Sequence, residues 1–81
     1  ENLATNCVLY QNGNGGLTLK NTGSIQIKSV ELVSLTGQST KVKVTQMNSN
    51  EWTTDRIHAQ GSYIVRILSD QSEEFVKIIF R

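Results

Sequence analysis

The sequence predicts an all-β sandwich of about seven short antiparallel strands, and three observations lead there. Apolar residues recur with a period of two instead of the roughly 3.6 of a helix. Clusters of Gly, Asn, Ser and Asp punctuate the chain at intervals of about 8–12 residues, the spacing of a sandwich or small barrel. At 81 residues, 37% apolar and 19% charged, the chain has material for one core and none for a second domain.

Taken in order, Cys7-Val8-Leu9-Tyr10 is the first strand candidate, and Leu17-Thr18-Leu19-Lys20 alternates as a strand with one buried face does. The run Asn12-Gly13-Asn14-Gly15-Gly16 between them has turn composition and reads as a hairpin loop. Asn21-Thr22-Gly23 marks the next turn. From Ile25 to Leu35 the apolar phase is odd at Ile25 and Ile27, even at Val30 and Leu32, then odd at Val33 and Leu35. One flat strand cannot hold that pattern, so a turn or bulge near Lys28-Ser29 followed by a strand from Val30 to Val33 is expected. A helix is disfavoured here by the β-branched residues and by Gly23 and Gly37 on either side.

Lys41-Val42-Lys43-Val44 alternates again, and Glu51-Trp52-Thr53-Thr54 is a short strand candidate. Ser62 to Leu68 puts Tyr63, Val65 and Ile67 on one face and Ile64 and Leu68 around Arg66 on the other, the composition of a central strand. The last stretch places Val76, Ile78 and Phe80 on one face and Phe75, Lys77 and Ile79 on the other. The expected core is Leu17, Leu19, Val30, Leu32, Leu35, Val42, Val44, Trp52, Tyr63, Val65, Ile67, Val76 and Ile78.

Composition narrows the function. Eight Lys and Arg against seven Asp and Glu leave a formal charge of +1, with the cations scattered among the acids, so nucleic acid is not an expected partner. No apolar run approaches the roughly 20 residues of a membrane helix, and the N-terminal residues lack the basic and apolar regions of a signal peptide. The single Cys7 cannot form an internal disulfide.

Few residues carry chemistry. His58 is the only histidine and reads as a surface loop residue; Cys7, beside Val8 and Leu9, reads as a small buried apolar group without a neighbouring base. The Gly13–Gly16 run is followed by a strand pattern, not a helix, which argues against a phosphate cradle. Glu73 and Glu74 point apart on a strand and are expected to be solvated. Trp52, Tyr10, Tyr63, Phe75 and Phe80 read as core aromatics, although an exposed Trp52 beside Tyr10 would make a sugar-stacking platform. The expectation is therefore a protein with no catalytic residues, no metal and no cofactor.

Three stretches resemble the landmarks of the C-terminal sorting domain of the type IX secretion system, in its type A form, known as the Por secretion tail family. Val30-Glu31-Leu32-Val33-Ser34-Leu35-Thr36-Gly37-Gln38 is similar to that family's strand followed by Asp-Leu-x-Gly-Arg or Lys, with Ser34 at the Asp and Gln38 at the base. Ile57 to Ile67 resembles its Leu-x-x-Gly-x-Tyr-x-Val-x-Ile stretch, with Gly61, Tyr63 and Val65 matching. Val76-Lys77-Ile78-Ile79-Phe80-Arg81 looks like its terminal Lys-hydrophobic-hydrophobic-Lys tail. Leu9-Tyr10-Gln11-Asn12 sits where the family has Tyr-Pro-Asn-Pro, without the prolines.

The resemblance implies an immunoglobulin-like sandwich that forms the last domain of a larger protein. It implies a signal that carries a cargo domain from the periplasm through the outer membrane to the cell surface or medium. The partners would be the outer-membrane secretion machinery, a surface sortase that commonly removes the domain, and an anionic lipopolysaccharide to which the cargo is attached. The recognition signal would lie in Lys77, Ile78, Ile79, Phe80 and Arg81, while Gly37, Gln38, Gly61, Tyr63 and Val65 would be structural. From the residues themselves, Gly37 is expected at positive φ in a hairpin turn, Gly61 is expected to let the chain enter the central strand, and Tyr63 is expected to send its hydroxyl to a loop backbone as a tyrosine corner does. An immunoglobulin-like accessory module, binding carbohydrate or spacing domains, is the alternative; pairing of edge strands into a homodimer is a third reading.

Overall fold

The computed structural model describes residues 2–3, 7–21 and 25–80. Among the described residues nine strands occur: β1 (Asn2–Leu3), β2 (Cys7–Gln11), β3 (Leu17–Asn21), β4 (Ile27–Val33), β5 (Ser39–Val42), β6 (Val44–Asn48), β7 (Glu51–Thr54), β8 (Gly61–Ser69) and β9 (Glu73–Phe80). They form two antiparallel sheets, in the orders β1-β2-β3-β7-β6 and β5-β4-β8-β9. Setting β1 aside, these orders are those of an immunoglobulin-like sandwich with one added strand on the second sheet. The expected turn at Asn21-Thr22-Gly23 falls partly, and Arg81 wholly, outside the described residues.

The strand count exceeds seven for two reasons. Strand β1 pairs Asn2 with Leu9 and Leu3 with Val8, a contact too short to show periodicity. The alternation from Lys41 to Val44 is not one strand: the chain leaves the second sheet after Val42 and enters the first at Val44. Between them the Lys43 carbonyl accepts the Asp55 N–H at 3.0 Å. Val42 and Val44 are both half-buried against the core, so the hydrophobic phase continues through the change of sheet.

The phase break predicted near Lys28 is a β-bulge. Ile27 pairs with Ser69 and Ser29 with Leu68, which leaves Lys28 extra and exposed. The inserted residue moves the inward phase from Ile25 and Ile27 to Val30 and Leu32, and all four are buried. Leu35, expected in the core, is instead 73% exposed. It lies in the β4–β5 turn, beyond the last β4 residue, where strand periodicity has no force.

That turn is closed by Ser34. Its N–H donates to the Gln38 carbonyl at 2.8 Å, and its hydroxyl accepts the Gln38 N–H at 3.1 Å, the local bonding a short polar side chain offers a turn. Gly37 has φ of 91° and Gly61 of 92°, so at both positions a Cβ would be strained. Gln38 itself is exposed.

The core lies between the sheets and holds the expected residues except Leu35, with Val42, Val44 and Tyr63 only partly buried. It also takes in Leu9, Ile25, Ile27 and Phe80, which the expected core omitted. Cys7 is fully buried, as its apolar neighbours predict. Burial pushes its thiol up to about 11 from an ordinary 9.0, with the Glu74 charge adding to the effect.

Candidate interaction surface

Strand β9 is the edge of the second sheet and pairs along its whole length with β8, from Gly61 opposite Phe80 to Leu68 opposite Glu73. Strand alternation divides its side chains in two. Val76, Ile78 and Phe80 enter the core, at 6%, 2% and 3% exposure, and the Phe80 ring meets Tyr63 edge-on at 5.7 Å. Phe75, Lys77 and Ile79 face outward, with Phe75 60% and Ile79 57% exposed. The residues singled out for recognition therefore separate: Lys77 and Ile79 stand on the surface, Ile78 and Phe80 hold the strand in place, and Arg81 lies outside the described residues.

The outer face continues onto β8 and β4. Register places Lys77 opposite Ile64, Phe75 opposite Arg66, and Arg66 opposite Glu31. Half-buried Ile64 and Leu68 extend the apolar surface begun by Phe75 and Ile79. At its centre Arg66 donates to Glu31 at 2.5 Å and, through Nε at 2.7 Å and a second guanidinium nitrogen, to Glu73. Hydrogen bonds to Glu31 and then Glu73 raise the Arg66 pKa further, so the guanidinium is a fixed charge. Glu73 is exposed, as expected, and is ion-paired as well; its neighbour Glu74, expected to be solvated too, is half-buried on the other face.

Other candidates are placed as follows. Trp52 is 2% exposed, opposite Leu19, and so offers no sugar platform. Tyr10 is half-buried, with the Lys20 ammonium 5.7 Å from its ring centre. Phe75 was expected in the core with the other aromatics; its strand phase is the outward one. Tyr63 packs its ring against the core, but its hydroxyl makes no hydrogen bond among the described residues, so the expected tyrosine corner is not formed. Val65 is fully buried between Leu32 and Val76.

His58 is exposed in the irregular segment 55–60, and the Gly13–Gly16 run is the expected hairpin loop, closed by the Asn12 N–H to the Gly16 carbonyl at 3.0 Å. Among the described residues no three His, Cys, Asp or Glu side chains come together to hold a metal ion.

This geometry defines an immunoglobulin-like sandwich with one outer sheet face that is part apolar and part charged. Compared with known proteins, the chain matches no family model, no curated protein and no solved structure.

Proposed function

We propose that this domain is a type IX C-terminal sorting domain, a non-catalytic signal through which a cargo protein is carried from the periplasm across the outer membrane to the cell surface or medium. The reading rests on the ordered resemblance of its motifs. The observation that supports it is β9, an edge strand anchored by alternate core side chains while Phe75, Lys77 and Ile79 are left to solvent. An edge strand with apolar side chains exposed beside it is an association site unless something covers it. In this reading the covering partner is the outer-membrane translocon or its shuttle, which docks the folded domain by Phe75, Lys77 and Ile79. The sortase and the anionic lipopolysaccharide act afterwards on the junction with the cargo.

The experiment fuses the domain behind a periplasmic reporter in a bacterium that has the pathway. It compares the native domain with Phe75→Ser, Lys77→Glu and Ile79→Ser combined, all outward-facing positions whose replacement leaves the core intact. Reporter outside the cell for the native fusion, and a folded variant retained in the periplasm, is the expected result. Retention of both, with a control sorting domain exported, overturns the proposal.

A further inference from the structure

A second feature lies across the same sheet from β9. Strand β5 is the opposite edge and pairs only with β4 among the described residues. Beside it opens a cleft of about 550 Å³, between β5 and the irregular segment 55–60. Its lining includes four consecutive residues, Thr40, Lys41, Val42 and Lys43, together with Ile57 and Ala59 of the irregular segment and Leu32 and Tyr63 of the adjoining strands. Its apolar lining is therefore continuous with the core, because Val42, Ile57, Ala59 and Tyr63 all pack against the buried cluster. Its rim is basic. Lys41 and Lys43 are exposed and, among the described residues, neither forms an ion pair; Arg56 adds a third cation and Asp55 one carboxylate.

We propose that the free edge of β5 and this cleft form a docking site for an extended acidic peptide segment. Its backbone would pair with Ser39–Val42, and alternate apolar side chains would enter the cleft between Val42 and Ile57. Strand addition supplies affinity through main-chain hydrogen bonds, and pockets for every second side chain supply selectivity. Charge chooses the occupant. A second copy pairing β5 with β5 brings Lys41 and Lys43 against their own equivalents, and lysines on an edge are how sandwiches repel that contact. An acidic strand neutralises the same charges. The site is independent of β9 and of the secretion reading.

The test is an amide NMR titration of the whole chain with a blocked heptapeptide of alternating glutamate and valine. Controls are the lysine-valine counterpart and a glutamate-valine peptide N-methylated at every residue, which keeps the side chains but removes the backbone donors on both edges. Expected are shifts at residues 39–43 and 57–59 with the first peptide, and loss of binding with both controls. Exchanging Lys41→Glu with Lys43→Glu should weaken the acidic peptide at least about five-fold, the order of two exposed ion pairs, and make the lysine peptide the better ligand. Both lysines are exposed, but Lys41 stands opposite Glu31 in the β4–β5 register, so amide dispersion checks that the variant keeps its fold. Equal binding of both charge types, undiminished binding of the N-methylated peptide, shifts centred on β9, or no shift at millimolar peptide each overturns the proposal. Equivalent cleft shifts from isovalerate alone also overturn it, in favour of a small-molecule pocket.

Discussion

Two phenylalanines on one strand separate folding from recognition. Phe80 is 3% exposed and meets Tyr63 edge-on, whereas Phe75 is 60% exposed on the opposite face. Truncating a core phenylalanine to alanine removes about 3–5 kcal/mol, through lost transfer energy and the cavity left behind. The aromatic pair adds about 0.5–1.5 kcal/mol that Phe80→Ala also forfeits. At about 0.05–0.15 kcal/mol per residue, an 81-residue domain holds about 4–12 kcal/mol in all. Phe80→Ala therefore consumes about a quarter or more of the folding free energy, and at the lower end of the stability range unfolds the domain. Phe75→Ala, at an outward position, stays within about 0.5 kcal/mol of the native chain. Urea denaturation followed by Trp52 fluorescence measures both, and Phe80→Leu, which keeps most of the volume, supplies an intermediate point if the alanine variant is unfolded at the outset. In the secretion assay the order is set by a different quantity. Phe75→Ala reduces export with the fold intact, and Phe80→Leu reduces it only as far as it reduces the folded fraction. Equal destabilisation by Phe75→Ala and Phe80→Ala would refute the assignment of faces on β9.

At Gly16 an added Cβ would stand 2.6 Å from the Thr54 carbonyl oxygen and 2.8 Å from that of Asp55, so Gly16→Ala must displace backbone. It should lose about 1–3 kcal/mol, read as a fall in Tm of about 4–8 °C per kcal/mol; Gly13→Ala, in the same loop with open space around it, leaves Tm unchanged or slightly raised. Cys7 makes stability fall at high pH. Its thiol ionises near 9.0 when unfolded but only near about 11 when folded, so the native state holds more protons in that window and loses its advantage as pH rises through it. Thermal melts from pH 8 to 11 should decline less steeply for Cys7→Ala than for the native chain, and parallel slopes would count against burial of the thiol. Arg66→Met leaves Glu31 and Glu73 without their shared cation; the native domain should lose stability on adding salt to about 1 M while the variant gains or holds it, measured by chemical denaturation at both ionic strengths.

Most of the fold was legible because strand period, turn composition and phase breaks are local signals. The bulge at Lys28 is the clearest instance: the phase shift between Ile27 and Val30 required one residue too many, and the register of β4 on β8 contains it. What stayed hidden depends on partners distant in sequence. The alternation from Lys41 to Val44 looks like one strand because both halves keep the same inward phase, and only the pairing of β5 with β4 and β6 with β7 reveals the change of sheet. Leu35 failed for the opposite reason, since its phase extends a strand that has already ended. On β9 the alternation correctly grouped Phe75 with Lys77 and Ile79. Treating every aromatic as core then overrode that grouping, although a strand that sends Val76, Ile78 and Phe80 inward leaves Phe75 no inward position. Arg66 was visible only as a charge among apolar residues; Glu31, distant in sequence, arrives through the β4–β8 register, and Glu73, on the next strand, through the β8–β9 pairing.

The two edges of the second sheet differ in a way that bears on both proposals. Strand β5 carries Lys41, with Lys43 just beyond it, the charged protection that keeps an edge from pairing with copies of itself. Strand β9 carries a single outward cation, Lys77, between two large apolar side chains that lie mostly in solvent. The sandwich gains nothing from leaving Phe75 and Ile79 in water, since polar residues at those positions would preserve the buried face and reduce association. Their exposure on the outer face of β9 is the feature on which the docking proposal rests. The size of that contact can be approached experimentally: each outward position on β9 replaced by serine should leave the denaturation midpoint nearly unchanged while lowering export. A variant set in which stability and export fell together would instead assign these side chains to the fold.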